Sequence, residues 1–562
     1  MAIELSTITF TEQADIVPVS GAEEILNTGI ANTLAGNDII IGTKEIIIDT
    51  PPQNIIFSSI FNSGTLNTAD GNDIITGTLS QIEDSPTEYF YSRYSIYKIG
   101  TINTGNGDDK ITGINEAVFG FATGFENGIY TKESIIDTGN GNDIITGTTQ
   151  IGGGISSLNS IINTGDGDDI ITGSTQRGGA GIYSSNSIIN AGDGNDSITA
   201  TSLDSYGLTI ISTGGIDTGK GNDIITGTAS LYGVFNYFDT FLNTSEGNDI
   251  ITGNGTKFGF ALANFGFMDT GDGNDIITGS NIDEADGILD AFGTGLLNGG
   301  EFDGFMYTDD GNDTITGIAT AENGLGIHNL MTYTMDTGNG NDIIAGTGSF
   351  SGILNSGTIN TGNGEDSIIS HGKFTNYGGM FLGDSNDSII TDADLHDRAL
   401  ENYNAIETGE GNDTITSTGV IYNQGVIETG NGDDSIIVNS SGAGYGIHNF
   451  GGAINMGDGN DTITANEGFE SGENSSGAWF LGEGEDYIKG FGSGDFYGGS
   501  GNDTLELTPG TYTVGIWGEG GESPIFTKGD QLMITSEFES LIAGSTIYDF
   551  ATLTAGQIII VA

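Results

Sequence analysis

Along most of the chain one apolar position recurs with unusual regularity. Isoleucine stands two residues after an aspartate at Ile40, Ile75, Ile111, Ile145, Ile171, Ile198, Ile225, Ile251, Ile277, Ile315, Ile344, Ile368, Ile389, Ile415, Ile436, Ile463 and Ile488, and Leu505 closes the series. The residue between is free: isoleucine in many copies, but Lys110, Ser197, Thr314, Ser367, Thr414 and Tyr487 elsewhere. A fixed apolar position beside a tolerant one is the alternation of a strand with one buried face. A second strand signal lies upstream of the aspartate, as in Ile102-Asn103-Thr104, Ile162-Asn163-Thr164 and Ile359-Asn360-Thr361. A third has the form Gly-Ile-x-Asn, at Gly326 to Asn329, Gly352 to Asn355 and Gly446 to Asn449. Helical periodicity is absent, and glycine every few residues would break a helix. Three short strands per repeat predict an all-β parallel solenoid whose stacked coils line the isoleucines into interior columns.

The repeat ends on Asp38, Asp73, Asp109, Asp143, Asp169, Asp196, Asp223, Asp249, Asp275, Asp313, Asp342, Asp366, Asp387, Asp413, Asp434, Asp461, Asp486 and Asp503. The mean spacing of about 27 residues falls in the window for solenoids and repeat arrays. The reading divides the chain into an N-terminal β cap at 1–31, a solenoid at 32–480, tandem nonapeptides at 481–506 and a C-terminal cap at 507–562. Coils longer than the mean should carry loops leaving one face. The Tyr-rich stretch from Tyr89 to Tyr97 is such a place, either a partner contact or a cover for apolar surface.

Charge changes the picture most. The chain has 77 acidic against 12 basic residues, a net of −65, which repels nucleic acid and anionic membranes and calls for counter-cations on compaction. Glycine at 97 residues with proline at 6 excludes collagen-like and Pro-rich classes. There is no cysteine, so disulfides and thiolate metal sites are excluded. The opening residues carry neither a basic n-region nor an apolar h-region, and no apolar run is long enough for a membrane-spanning helix. Export by another route is the expectation.

The turn before each aspartate reads GNGND, GDGDD or a close variant. Alternate glycines let the backbone curl with carbonyl oxygens turned inward, the aspartate adds a charged oxygen, and the residue before it adds another polar group. Such an oxygen-rich set suits calcium, which accepts 6 to 8 oxygen ligands in flexible geometry, better than magnesium or a soft metal. The alternative is an Asn/Asp-Gly turn that only reverses the chain.

These turns, with Gly498 to Glu506 (GGSGNDTLE) fitting the nonapeptide at every fixed position, resemble the hemolysin-type calcium-binding repeats of the repeats-in-toxin (RTX) family. The resemblance implies a right-handed β-roll or β-helix with multiple calcium ions. It places metal ligands at Asp73, Asp109, Asp143, Asp169, Asp196, Asp223, Asp249, Asp275, Asp313, Asp342, Asp366, Asp413, Asp434, Asp461, Asp486, Asp495 and Asp503. The turns ending at Asp38 and Asp387 each lack a glycine and are left out. Most repeats here have one turn where a β-roll coil has two, so one file of sites is expected. The tail, ending Ile558-Ile559-Ile560-Val561-Ala562, resembles the uncleaved C-terminal segment of type I-secreted RTX-like proteins, particularly cyanobacterial ones.

No HExxH or GxSxG motif is present, and no enzyme is expected. His328 and His448, in equivalent GIHN positions, read as packed rings. The function that follows is a secreted, calcium-folded extracellular or cell-surface scaffold or adhesin. Its partners are calcium ions and, for such a scaffold, cell-surface polysaccharide or further copies of itself. The alternatives are a secreted glycan-active enzyme and a solenoid binding glycan or ice through an in-register threonine ladder. That ladder would be Thr68, Thr104, Thr138, Thr164, Thr218, Thr244, Thr270, Thr308, Thr337 and Thr361.

Overall fold

The computed structural model describes residues 2–18, 24–46, 56–81, 92–116, 126–256, 259–282, 293–298, 304–321, 323–393, 398–440, 444–472, 477–518 and 523–562. Much of the extra length of the long repeats, and Tyr89 to Tyr91, lie outside these residues. The chain forms two compact units, Met1–Thr308 and Asp309–Ala562. Each is an all-β parallel solenoid.

One coil of the first unit shows the plan. The pre-turn strand Ile135–Asp137 leads into the turn, the post-turn strand Ile144–Ile151 follows Asp143, and the return strand Gly153–Leu158 completes the circuit. Each strand pairs in parallel with its counterpart in the next coil. Ile136 meets Ile162, Ile145 meets Ile171, and Ile155 meets Ile182. Those six side chains are at most 1% exposed, so three aliphatic columns fill the interior. A buried isoleucine contributes about 1.5–3 kcal/mol. A lone coil has no neighbour to cover its faces, so stability comes from stacking.

The second unit repeats the plan, and a polar column runs along the ends of its return strands. Asn329, Asn355, Asn376, Asn402, Asn423 and Asn449, the last residues of successive return strands, are fully buried. From Asn329 to Asn423, each amide donates to the Oδ1 of the next at 2.9–3.0 Å. Asn355, Asn376, Asn402 and Asn423 also donate to a pre-turn carbonyl, that of Gly379, Ala405, Val426 or Ala453. Buried amides satisfied this way hold the return corner in register.

In the first unit the same column contains Asn27 and Asn62, then Lys98 paired beside Asn62. Asn62 donates to the carbonyl of Thr101, and Lys98 reaches the carbonyl of Ile135, its equivalent one coil on. Burial pushes the Lys98 ammonium well below its ordinary pKa, so lysine acts here as a long amide substitute. Tyr94 and Tyr97 belong to the return strand Ser92–Lys98 and are buried in a stack with Tyr130.

At the N-terminus Ala2–Glu4 pairs in parallel with Glu24–Asn27. At the C-terminus the pairing changes sense. Gln531–Ser536 adds parallel to Gly494–Gly501, but Ser523–Lys528, Gly510–Trp517 and Ile558–Val561 follow antiparallel. A meander of this kind covers the last coil's unpaired edge. Among the described residues no helix is long and apolar enough to cross a membrane.

Candidate metal centre

The turn owes its shape to two glycines. In the copy ending at Asp143, Gly139 has φ +83° and Gly141 φ +142°. A Cβ on Gly139 would lie 1.7 Å from the carbonyl oxygen of Gly105 in the preceding coil, and one on Gly141 1.9 Å from that of Gly107. Side chains are therefore excluded by coil spacing as well as by backbone angle. Where a glycine is missing the conformation persists: Leu34 has φ +69° and Ser385 φ +108°.

Beyond the turn the aspartate points inward. Asp73, Asp109, Asp143, Asp169, Asp196, Asp223 and Asp249 in the first unit are at most 2% exposed, as are Asp342, Asp366, Asp413, Asp434, Asp461, Asp486 and Asp503 in the second. The backbone N–H of each aspartate donates to the Oδ1 of the next: Asp73 to Asp109, Asp109 to Asp143 and Asp143 to Asp169, all at 2.7 Å. The second unit repeats this from Asp313 through Asp342, Asp366, Asp387, Asp413, Asp434 and Asp461 to Asp486 at 2.8 Å, and on to Asp503 at 3.0 Å. Asp275 is buried in the same turn position of the first unit.

Asp38 and Asp387, which the sequence reading left out, occupy the file as fully as the rest. The ends are also marked. Asp15 donates its N–H to Asp38 Oδ1 at 2.7 Å, and Asp503 donates to Glu539 Oε2 at 2.8 Å. Glu539 has no turn motif to announce it. Asp495 is elsewhere, on the strand Gly494–Gly501 with Ala478 as its parallel neighbour.

The second carboxylate oxygen is the notable one. The Oδ2 atoms of Asp73, Asp109, Asp143, Asp169, Asp196, Asp223 and Asp249, and of Asp342, Asp366, Asp387, Asp413, Asp434, Asp461, Asp486 and Asp503, are buried and meet no hydrogen-bond donor in good geometry. The hydroxyl of the threonine five residues upstream, as Thr104 before Asp109 or Thr218 before Asp223, is near enough to lower the carboxyl, and Asp196, Asp387 and Asp461, which lack that threonine, stand highest. Burial pushes Asp109, Asp169, Asp223 and Asp366 up to about 7 and Asp196, Asp387 and Asp461 up to about 8, against hydrogen bonds that pull the other way. With coils about 4.8 Å apart and an effective dielectric near 20, neighbouring charged carboxylates repel by roughly 3–4 kcal/mol. Such a file stays buried only if protons or cations neutralise it.

Calcium fits this donor set. The junctions named above supply a second carboxylate oxygen that takes no backbone hydrogen bond, beside a glycine turn rich in backbone carbonyls, and a hard cation takes oxygen alone. Among the described residues no three His, Asp or Glu side chains converge, so carbonyls would have to complete the shell.

The residue preceding each aspartate faces outward and does not join this set. Asn195 accepts the N–H of Asn222 at 2.9 Å, and Asn222 that of Asn248 at 2.8 Å, making an exposed ladder of their own.

The threonine ladder expected to be a ligand face is internal. Thr68, Thr104, Thr138, Thr164, Thr218, Thr244, Thr270, Thr308, Thr337 and Thr361 are all 0% exposed. Thr104 and Thr138 donate to the carbonyls of Thr138 and Thr164 at 3.2 and 3.3 Å. They share the inward phase of the isoleucine two residues earlier. A different ladder faces outward, three residues after the aspartates. Thr76, Thr146, Thr172, Thr199, Thr226, Thr252 and Thr278 are half-buried, with Thr112 more covered, and pair coil to coil. Counting alternation forward from the interior isoleucine is the signal that finds it.

His328 is half-buried, and loss of water around its ring pushes it down to about 4, while His448 pairs with Glu470 and packs against Tyr422. Both are packed rings, the second with an ion pair.

No protein-family model matches this chain, and no curated protein matches it, so the RTX resemblance rests on the turn residues alone. Among solved structures the chain is similar to one described as the X-ray crystal structure of a hyperactive, Ca2+-dependent, beta-helical antifreeze protein from an Antarctic bacterium. The identity is 16%, the match covers 81% of this chain and 83% of that one, and the TM-score is 0.23. At that score it bears on neither site nor activity.

Proposed function

We propose that this is a calcium-folded repeat protein, a non-enzymatic scaffold or adhesin that works outside the cell or on its surface. The observation that carries the reading is the file of buried aspartates whose Oδ2 takes no backbone hydrogen bond at successive coils. In calcium-poor cytoplasm the carboxylates would repel and keep the coils open. At extracellular calcium, binding free energy becomes folding free energy. The test is far-UV circular dichroism of the full chain in chelator at pH 8, followed by separate additions of calcium and magnesium. Disordered signal converting to β with calcium alone supports the reading. A full β spectrum in chelator at pH 8 would count against it.

The outward Thr76 to Thr278 ladder favours a second reading, binding of a flat ordered surface such as ice or packed polysaccharide. Replacing Thr172 and Thr226 with tyrosine and measuring thermal hysteresis and adsorption to crystalline polysaccharide tests it. Activity in neither assay for the unsubstituted protein removes it.

A further inference from the structure

Five turns carry an asparagine followed by glycine at one and the same place: Asn106-Gly107, Asn140-Gly141, Asn339-Gly340, Asn363-Gly364 and Asn431-Gly432. All five asparagines are exposed. Other turns put Asp70, Asp166, Asp458, Lys220 or Ser500 there, so the turn does not demand the amide. It does demand the glycine. A Cβ on Gly107, Gly141, Gly340, Gly364 or Gly432 would lie 1.3–2.0 Å from a glycine carbonyl oxygen of the preceding coil. Stacking therefore leaves each exposed amide next to a backbone nitrogen that no side chain shields.

That neighbour is a nucleophile. The glycine nitrogen, on losing its proton, attacks the asparagine Cγ; the Cγ–Nδ2 bond breaks, ammonia leaves with the proton, and a succinimide ring closes. Water then opens the ring. Breaking the new Cγ–N bond gives aspartate, and breaking the old peptide bond gives isoaspartate, whose backbone runs through Cγ and is one carbon longer.

In the stacked array both sides of that peptide bond are engaged. The Gly107 N–H donates to the Asn140 carbonyl, and the Asn106 carbonyl accepts from Gly71, each at 2.8 Å. Gly141, Gly340, Gly364 and Gly432 donate likewise to Asp166, Asn363, Asp384 and Asp458 at 2.7–3.0 Å. Side-chain amides are held too, Asn339 on Asp310 at 2.7 Å and Asn431 on Glu410 at 2.8 Å.

We infer that these five asparagines are sites of intramolecular deamidation, closed while the coils are stacked and open once they part. On the calcium-folded reading proposed above, on which this step rests, calcium then sets how long the chain stays able to fold as well as whether it folds. Aspartate is already at home in the turn, but isoaspartate moves the glycine N–H off its partner carbonyl and blocks restacking.

The test holds the full chain at pH 8 in calcium, in chelator, and in calcium with urea, and maps deamidated peptides by mass after digestion in acid. In urea the five sites should convert at least about tenfold faster than in calcium alone, because a group that must open first reacts in proportion to its open population. Asn142, Asn195 and Asn222, which precede aspartate, should lag behind them in urea. After urea is removed, isoaspartate-specific methylation should be enriched on chains that fail to regain the β spectrum. Equal rates with and without urea, no lead over Asn142, Asn195 and Asn222, or no such enrichment would each overturn the inference. Fast conversion in chelator supports this inference and the calcium reading together. Slow conversion there beside fast conversion in urea upholds protection by stacking and counts against the calcium reading alone.

Discussion

The backbone N–H of Asp223 donates to Oδ1 of Asp249 at 2.7 Å, while Oδ2 of the same Asp249 is buried with no backbone donor and only the Thr244 hydroxyl nearby. One oxygen of each carboxylate thus helps to stack the coils and the other is left for a proton or a cation. The same division recurs through both units, and most of the expected behaviour follows from it.

Asp223→Asn separates the two roles. The amide oxygen can still accept the N–H of Asp196, which Asp223 accepts at 2.8 Å, but the charge is gone. In chelator at pH 8 the substitution should stabilise by on the order of 1–3 kcal/mol, because it removes an unpaired buried charge. In calcium it should destabilise, because a charged ligand is lost. The pH at which the β signal is lost in chelator and the melting temperature in calcium, both read by circular dichroism, check the change of sign, and the effect should stay local rather than unfold the array.

Acid should substitute for calcium. Burial raises Asp109 to about 7 and Asp196 to about 8, above an unfolded value near 3.8. Because the folded state holds these protons more tightly, their contribution is complete below about pH 4 and is lost as pH rises through about 6 to 8. In chelator the melting temperature should therefore fall as pH rises from 5, until the β signal is lost near pH 8. Calcium should lessen that fall or reverse it, since protons then compete with the metal.

The asparagine column should be indifferent to metal. Asn402 donates to Asn423 Oδ1 and to the Val426 carbonyl, both at 2.9 Å, so Asn402→Ala strands buried partners. A cost of roughly 1–3 kcal/mol is expected, equal in calcium and in chelator at pH 5. Hydrogen exchange of the adjoining return strands is the readout.

Gly141→Ala should be costlier than its size suggests. Its φ of +142° and the Gly107 carbonyl 1.9 Å from the new Cβ force two coils apart. A local loss of about 1–3 kcal/mol, with weaker calcium affinity at the two adjoining junctions, is the expected outcome of the titration.

The sequence made the solenoid legible because Asp143 and Ile145 fix both where the turn ends and which way the strand faces. Upstream of the turn, phase had to be counted from Ile136 instead, and doing so puts Thr138 inside; the outward-facing, half-buried Thr146 belongs to the downstream count. Asp38 and Asp387 were obscured because Leu34 and Ser385 take up backbone angles usually given to glycine. Glu539 was invisible, since it reaches Asp503 from the cap without any repeat around it.

The most direct measurement is anomalous diffraction from crystals grown in calcium. A row of peaks is expected between successive coils, each about 2.3–2.6 Å from an Oδ2 such as that of Asp223 or Asp434. Refined structures with no peak beside these buried oxygens, whether or not calcium binds elsewhere, would contradict a calcium-neutralised aspartate file.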